Sequence, residues 1–179
     1  MALKPTIYKL NLDLADSDKH HYQSYQLTLA QHPSETAERM VVRILAFALN
    51  ADERLAFTKG ISTAEEPDLW LKEDHGAIAL WVEVGQPKAD RLRKAVNQAA
   101  AVKLYAFGKT ADTWWGIESK DMPQSEKLTI ARFPWADIEQ LAKNLDRNIR
   151  WSISIAGGEL YVDTGQGVVH VQMGNFSGA

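Results

Sequence analysis

The sequence has no cysteine. Disulfides, thiolate nucleophiles and thiolate metal sites are therefore excluded. It has no apolar run of about 18 residues, the length a membrane-spanning helix needs. Its opening stretch, MALKPTIYKLNLDL, alternates apolar and polar residues instead of clustering the apolar ones as a secretion signal does. There is no Gly-x-Ser-x-Gly elbow, no P-loop and no dinucleotide fingerprint. His20 and His21 sit together at a strand start, the other three histidines are scattered, and no two have metal-ligand spacing on a helix. Positive charge is not in excess either: 20 Lys and Arg face 23 Asp and Glu, a net charge of −3. A nucleic-acid partner would therefore need a local basic face. These absences predict a cytoplasmic protein with no membrane partner.

What is present is an ordinary globular composition, 45% hydrophobic and 24% charged over 179 residues. That length suits one domain spanning 1–179, long enough to bury a core without covalent staples. Tyr8, Leu10, Leu12 and Leu14 alternate with Lys9, Asn11 and Asp13, and residues 21–30 repeat the pattern with Tyr25, Leu27 and Leu29. With a polar turn at 16–19 this predicts an N-terminal β-hairpin. Ser34 is the expected N-cap of a helix over 35–57, with Met40, Ile44, Phe47, Ala48, Ala51 and Leu55 on its buried face and Gly60 ending it.

Further along, short strands are expected at 68–71 and 77–84, joined by a turn at 73–76. A helix over 88–100 and a strand over 101–107 follow. A strand–helix–strand unit places its two strands parallel. The remainder reads as a helix near 110–119, a strand near 127–133, a helix near 135–145, and β-structure from about 149 with a frayed tail from Gly174. The fold class is α/β (α+β), a mixed β-sheet flanked by helices.

The hairpin carries the candidate chemistry. Asp68 opens one strand and Glu83 nearly closes the next, so the turn at 73–76 brings the carboxylates together. Two hard oxygen ligands are what Mg²⁺ prefers, usually with substrate phosphate and water completing its shell. Glu83 sits in the apolar run AIALWVEV, where an ionised carboxylate needs a partner. That partner is either a metal or a cation such as Lys103 on the adjacent strand. Arg91, Lys94 and Gln98 form a polar stripe able to contact phosphate or to face solvent. Arg39 and Arg43 share a helix face and can serve an anion or pair with Glu35 and Glu38.

Several stretches resemble the YaeQ family of bacterial proteins: the start MALKPTIYK, the segment LTLAQHPSETAERMVVRILAFALNADERLAFTKGISTAEEPDLW, and WVEVGQPKADRLRKA. The resemblance runs from residue 1 to about 162. It implies a restriction-endonuclease-like core of the PD-(D/E)XK type, here with the N-terminal hairpin and a C-terminal β extension. It also implies roles for Glu35 on the first helix, Asp68 at one strand and Glu83 on the next. Asp68 and Glu83 would hold the metal of a nuclease acting on nucleic-acid phosphodiesters. The pattern departs at Gly85, where it calls for lysine, leaving Gln86 or Lys94 to stand near the scissile phosphate. The alternative is an inactive nuclease-fold protein that binds nucleic acid or a protein partner in a regulatory role.

Overall fold

A computed structural model describes residues 4–59, 64–143 and 145–177. Both alternating N-terminal segments form strands, β1 (Thr6–Asp16) and β2 (His21–Gln31), paired antiparallel along their whole length. The C-terminal strands β8 (Asn148–Ala156), β9 (Glu159–Asp163) and β10 (Val168–Val171) join them rather than forming a separate extension. The order is β10-β9-β8-β1-β2, with β1 and β8 parallel. Period-two patterning explains the one-sided burial: Leu10, Leu12, Leu14, Ile149, Trp151 and Ile153 point inward while the intervening polar residues face water.

A second sheet carries β3 (Leu55–Phe57), β4 (Leu69–Lys72), β5 (Ile78–Val84), β6 (Ala99–Ala106), β7 (Leu128–Arg132) and β11 (Gly174–Ser177). Its order is β11-β7-β6-β5-β4-β3. The expected parallel β5–β6 pair and antiparallel β4–β5 pair are both present. The expected single sheet is thus two mixed sheets. The terminal strands pair with each other because only they share the clean alternation that one wet face requires.

Helix α1 (Ala37–Leu49) lies between the sheets. Every residue from Met40 to Ala48 is buried, Arg43 included, so this helix has no solvent face. Its core combines side chains of both sheets with Ile138 and Leu141 of α4 (Trp135–Ala142). A second core on the far side of the six-stranded sheet packs Trp81 and Val102 against α2 (Ala89–Gln98) and α3 (Ala111–Glu118).

Three local expectations are corrected. The helix begins two residues later than expected, because the Thr36 hydroxyl, not Ser34, accepts the Arg39 N–H at 3.1 Å. It ends at Leu49, where Asn50 takes the cap and Asp52 organises a turn by accepting the Arg54 N–H at 2.7 Å. Leu55 and Phe57 then enter a strand against Leu71 and Leu69, and Gly60 lies outside the described residues. Finally, the tail from Gly174 to Ser177 pairs with β7, and Phe176 stacks on Trp115 at 5.1 Å.

At the carboxyl end of α1, Asn50 does more than cap. Its amide donates to Ala46 O and Tyr105 Oη, both at 2.8 Å, and its carbonyl accepts from Lys103 Nζ at 2.7 Å. Burial pushes the Tyr105 hydroxyl up to about 12, opposed by the Asn50 hydrogen bond. Asn50→Leu is expected to destabilise the chain by about 2–3 kcal/mol, because it strands the Tyr105 hydroxyl and the Lys103 ammonium together. Urea unfolding measures that loss.

Candidate functional site

Asp68 is fixed before its side chain does anything. Its N–H donates to Val82 O at 2.9 Å, and its carbonyl accepts the Thr58 N–H at 3.1 Å. The register pairs Leu69 with Val82, so one step back Asp68 lies beside Glu83. The hairpin therefore joins the two acids as their spacing predicts. Both are almost fully buried, at 2% and 4% exposure.

Each acid has an arginine. Arg39 Nη2 donates to Asp68 Oδ1 at 2.6 Å while its Nη1 donates to Glu35 Oε2 at 2.7 Å. One guanidinium thus bridges Glu35 and Asp68. Arg43, one helical turn further, donates to both Glu35 oxygens at 2.6 and 2.9 Å. Arg91 Nε donates to Glu83 Oε1 at 2.8 Å, as does Trp81 Nε1 at 2.9 Å. The other nitrogens of Arg91 reach the carbonyls of Ala64 and Glu66, tying the segment before Asp68 to α2. Glu35, Arg39, Arg43 and Asp68 form one linked group, and the Glu83–Arg91 pair lies beside it, so three acids are balanced by three arginines.

The electrostatics follow from this packing. Burial raises the pKa of Glu83, the Arg91 bond opposes that, and the negative Asp68 raises it further. Burial works against the charge on Arg39, but the Asp68 and Glu35 carboxylates outweigh it and the pKa rises. Lys103 is not the partner of Glu83. Glu83 pairs with Leu104 while Lys103 pairs with Val82, so the lysine side chain emerges on the opposite face, toward Asn50. There, burial and nearby Lys19 lower its pKa.

The remaining expected residues do not converge. Lys94 is exposed and makes no hydrogen bond or ion pair among the described residues. Gln86 donates to Phe107 O at 2.9 Å and accepts from Thr110 Oγ1 at 3.2 Å, which turns it toward the loop after β6. Gly85, at the position where lysine is expected, has φ +110°, and a Cβ there would touch nothing within 4 Å. Backbone conformation, not space, keeps a side chain out.

The donor atoms of Asp68 and Glu83 are hard oxygens of the kind Mg²⁺ takes. Three of the four are engaged, however. Asp68 Oδ1 has Arg39, Asp68 Oδ2 accepts the Val84 N–H at 2.9 Å, and Glu83 Oε1 has Arg91 and Trp81; among the described residues only Glu83 Oε2 carries no hydrogen bond. Among the described residues no group of three His, Asp or Glu is placed to hold a metal ion. As arranged, the acids fit guanidinium partners and not a resident Mg²⁺.

The hairpin reading puts Asp68 beside Glu83 and helical spacing puts Arg39 and Arg43 within reach of Glu35, and the structure has both arrangements. Sequence reasoning missed that Arg91 and Trp81 serve Glu83. Trp81 was discoverable, since residues i and i+2 of a strand share a face. No helix among the described residues is long and apolar enough to cross a membrane.

The model of the family described as YaeQ protein matches residues 1–173. The YaeQ protein of Escherichia coli strain K12 is 40% identical over 177 residues, covering 97% of this chain and 96% of its own length. That of Salmonella typhi is 38% identical over 174 residues, with the same coverage. Two crystal structures share the fold. The YaeQ protein from Pseudomonas syringae superposes with a TM-score of 0.95 at 38% identity, covering 98% of this chain and 97% of that one. The YaeQ protein from Xanthomonas axonopodis pv. citri has a TM-score of 0.93 at 36% identity, covering 98% and 99%. This chain belongs to the YaeQ family.

Proposed function

We propose that this chain is a nucleic-acid-binding protein on a PD-(D/E)XK-like core that does not hydrolyse phosphodiesters. The observation that carries the loss of catalysis is the pairing of Glu35, Asp68 and Glu83 with Arg43, Arg39 and Arg91. A metal would have to displace a guanidinium from buried carboxylates, and breaking such a pair typically costs about 3–5 kcal/mol. The second support is the lack of a lysine: Gly85 stands in its place and Lys94 points to solvent. Neither position then supplies the ammonium that would stabilise charge on a phosphate. The nucleic-acid partner is supported by the resemblance of the acid pattern Glu35, Asp68 and Glu83 to that of PD-(D/E)XK nucleases.

The reading predicts no Mg²⁺- or Mn²⁺-dependent heat by calorimetry and no cleavage of any DNA or RNA form. Binding to oligonucleotides should fall steeply with salt and persist in Asp68→Asn. A salt-insensitive complex with a protein would instead favour a protein partner. One observation favours a hydrolytic reading: Asp68 lies beside Glu83, whose Oε2 carries no hydrogen bond among the described residues. On that reading Mg²⁺ displaces Arg39 or Arg91 when substrate arrives. Metal-dependent cleavage abolished by both Asp68→Asn and Glu83→Gln would establish it in place of the first.

A further inference from the structure

The strands β5, β6 and β7 run parallel, and their carboxyl ends form one edge of the six-stranded sheet. In sheets of this kind ligands gather at that edge. Glu83 lies there, and so do three residues outside the acid network. Gln86 follows β5, Phe107 directly follows β6, and Trp135 opens α4 after β7. Phe107 and Trp135 are stacked nearly parallel, with ring centroids 6.4 Å apart and planes 10° apart, and both remain partly exposed.

Gln86 ties this ring pair to the end of β5. Its side chain spans from Phe107 O to Thr110 Oγ1 across Gly108, where an added Cβ would come within 3.0 Å of Gln86 Nε2. Gly108 has φ +110°, a backbone conformation that favours glycine there. Lys109 is exposed on the same loop and makes no hydrogen bond or ion pair among the described residues. Trp135 Nε1 is, among the described residues, the one buried side-chain polar atom without a hydrogen-bond partner. Buried indole N–H groups in a merely structural aromatic pair are normally satisfied.

We infer that Phe107 and Trp135 form a stacking platform for an unpaired nucleobase, with Lys109 meeting the adjoining phosphate. The inference rests on the nucleic-acid reading above and adds the class of substrate, single-stranded or locally unpaired. Every base has a π face, so the platform selects strandedness and not sequence. A small turn of the indole brings its N–H to an acceptor on the base edge. The charge of the acid network is balanced, so the attraction for the strand comes from the loop and not from that network.

Fluorescence anisotropy with labelled single-stranded oligonucleotides and a matched duplex tests this on the full chain. Trp135→Leu is expected to weaken single-strand binding by about 10- to 100-fold, the range that base stacking supplies. Trp135→Phe should hold within about 3-fold, because it keeps a ring. Lys109→Ala should lower the salt slope by about one. If Trp135→Leu unfolds, Phe107→Leu with an intact unfolding transition carries the same expectation. Single-strand binding that is unchanged in these ring variants overturns the platform and leaves the nucleic-acid reading standing. A parent chain that binds no oligonucleotide overturns both.

Discussion

Arg43→Met will unfold well before the parent, with a loss of about 3–5 kcal/mol. The arginine is 2% exposed, and it donates to both oxygens of a Glu35 side chain that is equally buried. It also donates to Ala30 O at 3.0 Å, so its loss leaves a strand carbonyl short as well as a carboxylate. Methionine keeps the stem, which limits the cavity. For a chain of this size each kcal/mol moves Tm by roughly 2–4 °C, so the midpoint falls by roughly 6–20 °C. Glu35→Leu combined with Arg43→Met should recover most of that, because replacing both members of a buried pair by apolar groups is often neutral. Arg39 would still hold Asp68. Thermal unfolding of the three chains decides the point. A loss below about 1 kcal/mol in the single variant would mean that the network does not stabilise the fold.

Arg43 also shows how the site relates to sequence. Helical spacing placed Arg39 and Arg43 on one face beside Glu35, and local geometry alone was enough to suggest that contact. Asp68 and Glu83 were legible because a hairpin with a short turn fixes its own register. The partner of Glu83 was not, because Arg91 comes from a helix whose rotation against the sheet is set by packing of Leu92, Ala95 and Val96. Lys103 was the natural guess from sequence, and a register offset of one residue puts it on the other face. The same limit applies to the fold. Strands and helices of strong period were clear, but the pairing of β1 with β8 joins residues about 140 positions apart. The early end of α1 was hidden because Leu55 happens to continue the helical spacing, while Asn50 and Asp52 make a turn by bonding to the backbone.

Arg91→Ala will destabilise the chain in a way that depends on pH. Arg91 is the only cation bonded to Glu83 among the described residues, and the side chain of the acid is 5% exposed. Burial already holds the Glu83 pKa above its ordinary 4.5. A carboxyl group raised in the folded state keeps its proton longer than in the unfolded chain. Its contribution therefore favours folding at low pH and is lost as pH rises from the unfolded value through the folded one. Removing Arg91 takes away the principal group opposing that shift, so the folded pKa climbs and the window widens upward. The penalty of Arg91→Ala should thus be small near pH 4, where Glu83 is largely protonated in both states. There only the bonds to Ala64 O and Glu66 O are missing. At neutral pH it should reach about 2–3 kcal/mol, somewhat under the usual figure for a broken buried pair because the arginine is partly exposed. Adding Glu83→Gln to Arg91→Ala removes the titrating group, and the pH dependence of the difference from Glu83→Gln alone should vanish. Urea unfolding of the four chains across the acid-to-neutral range measures this. A penalty constant with pH would show that Arg91 acts through the loop carbonyls and not through the charge of Glu83.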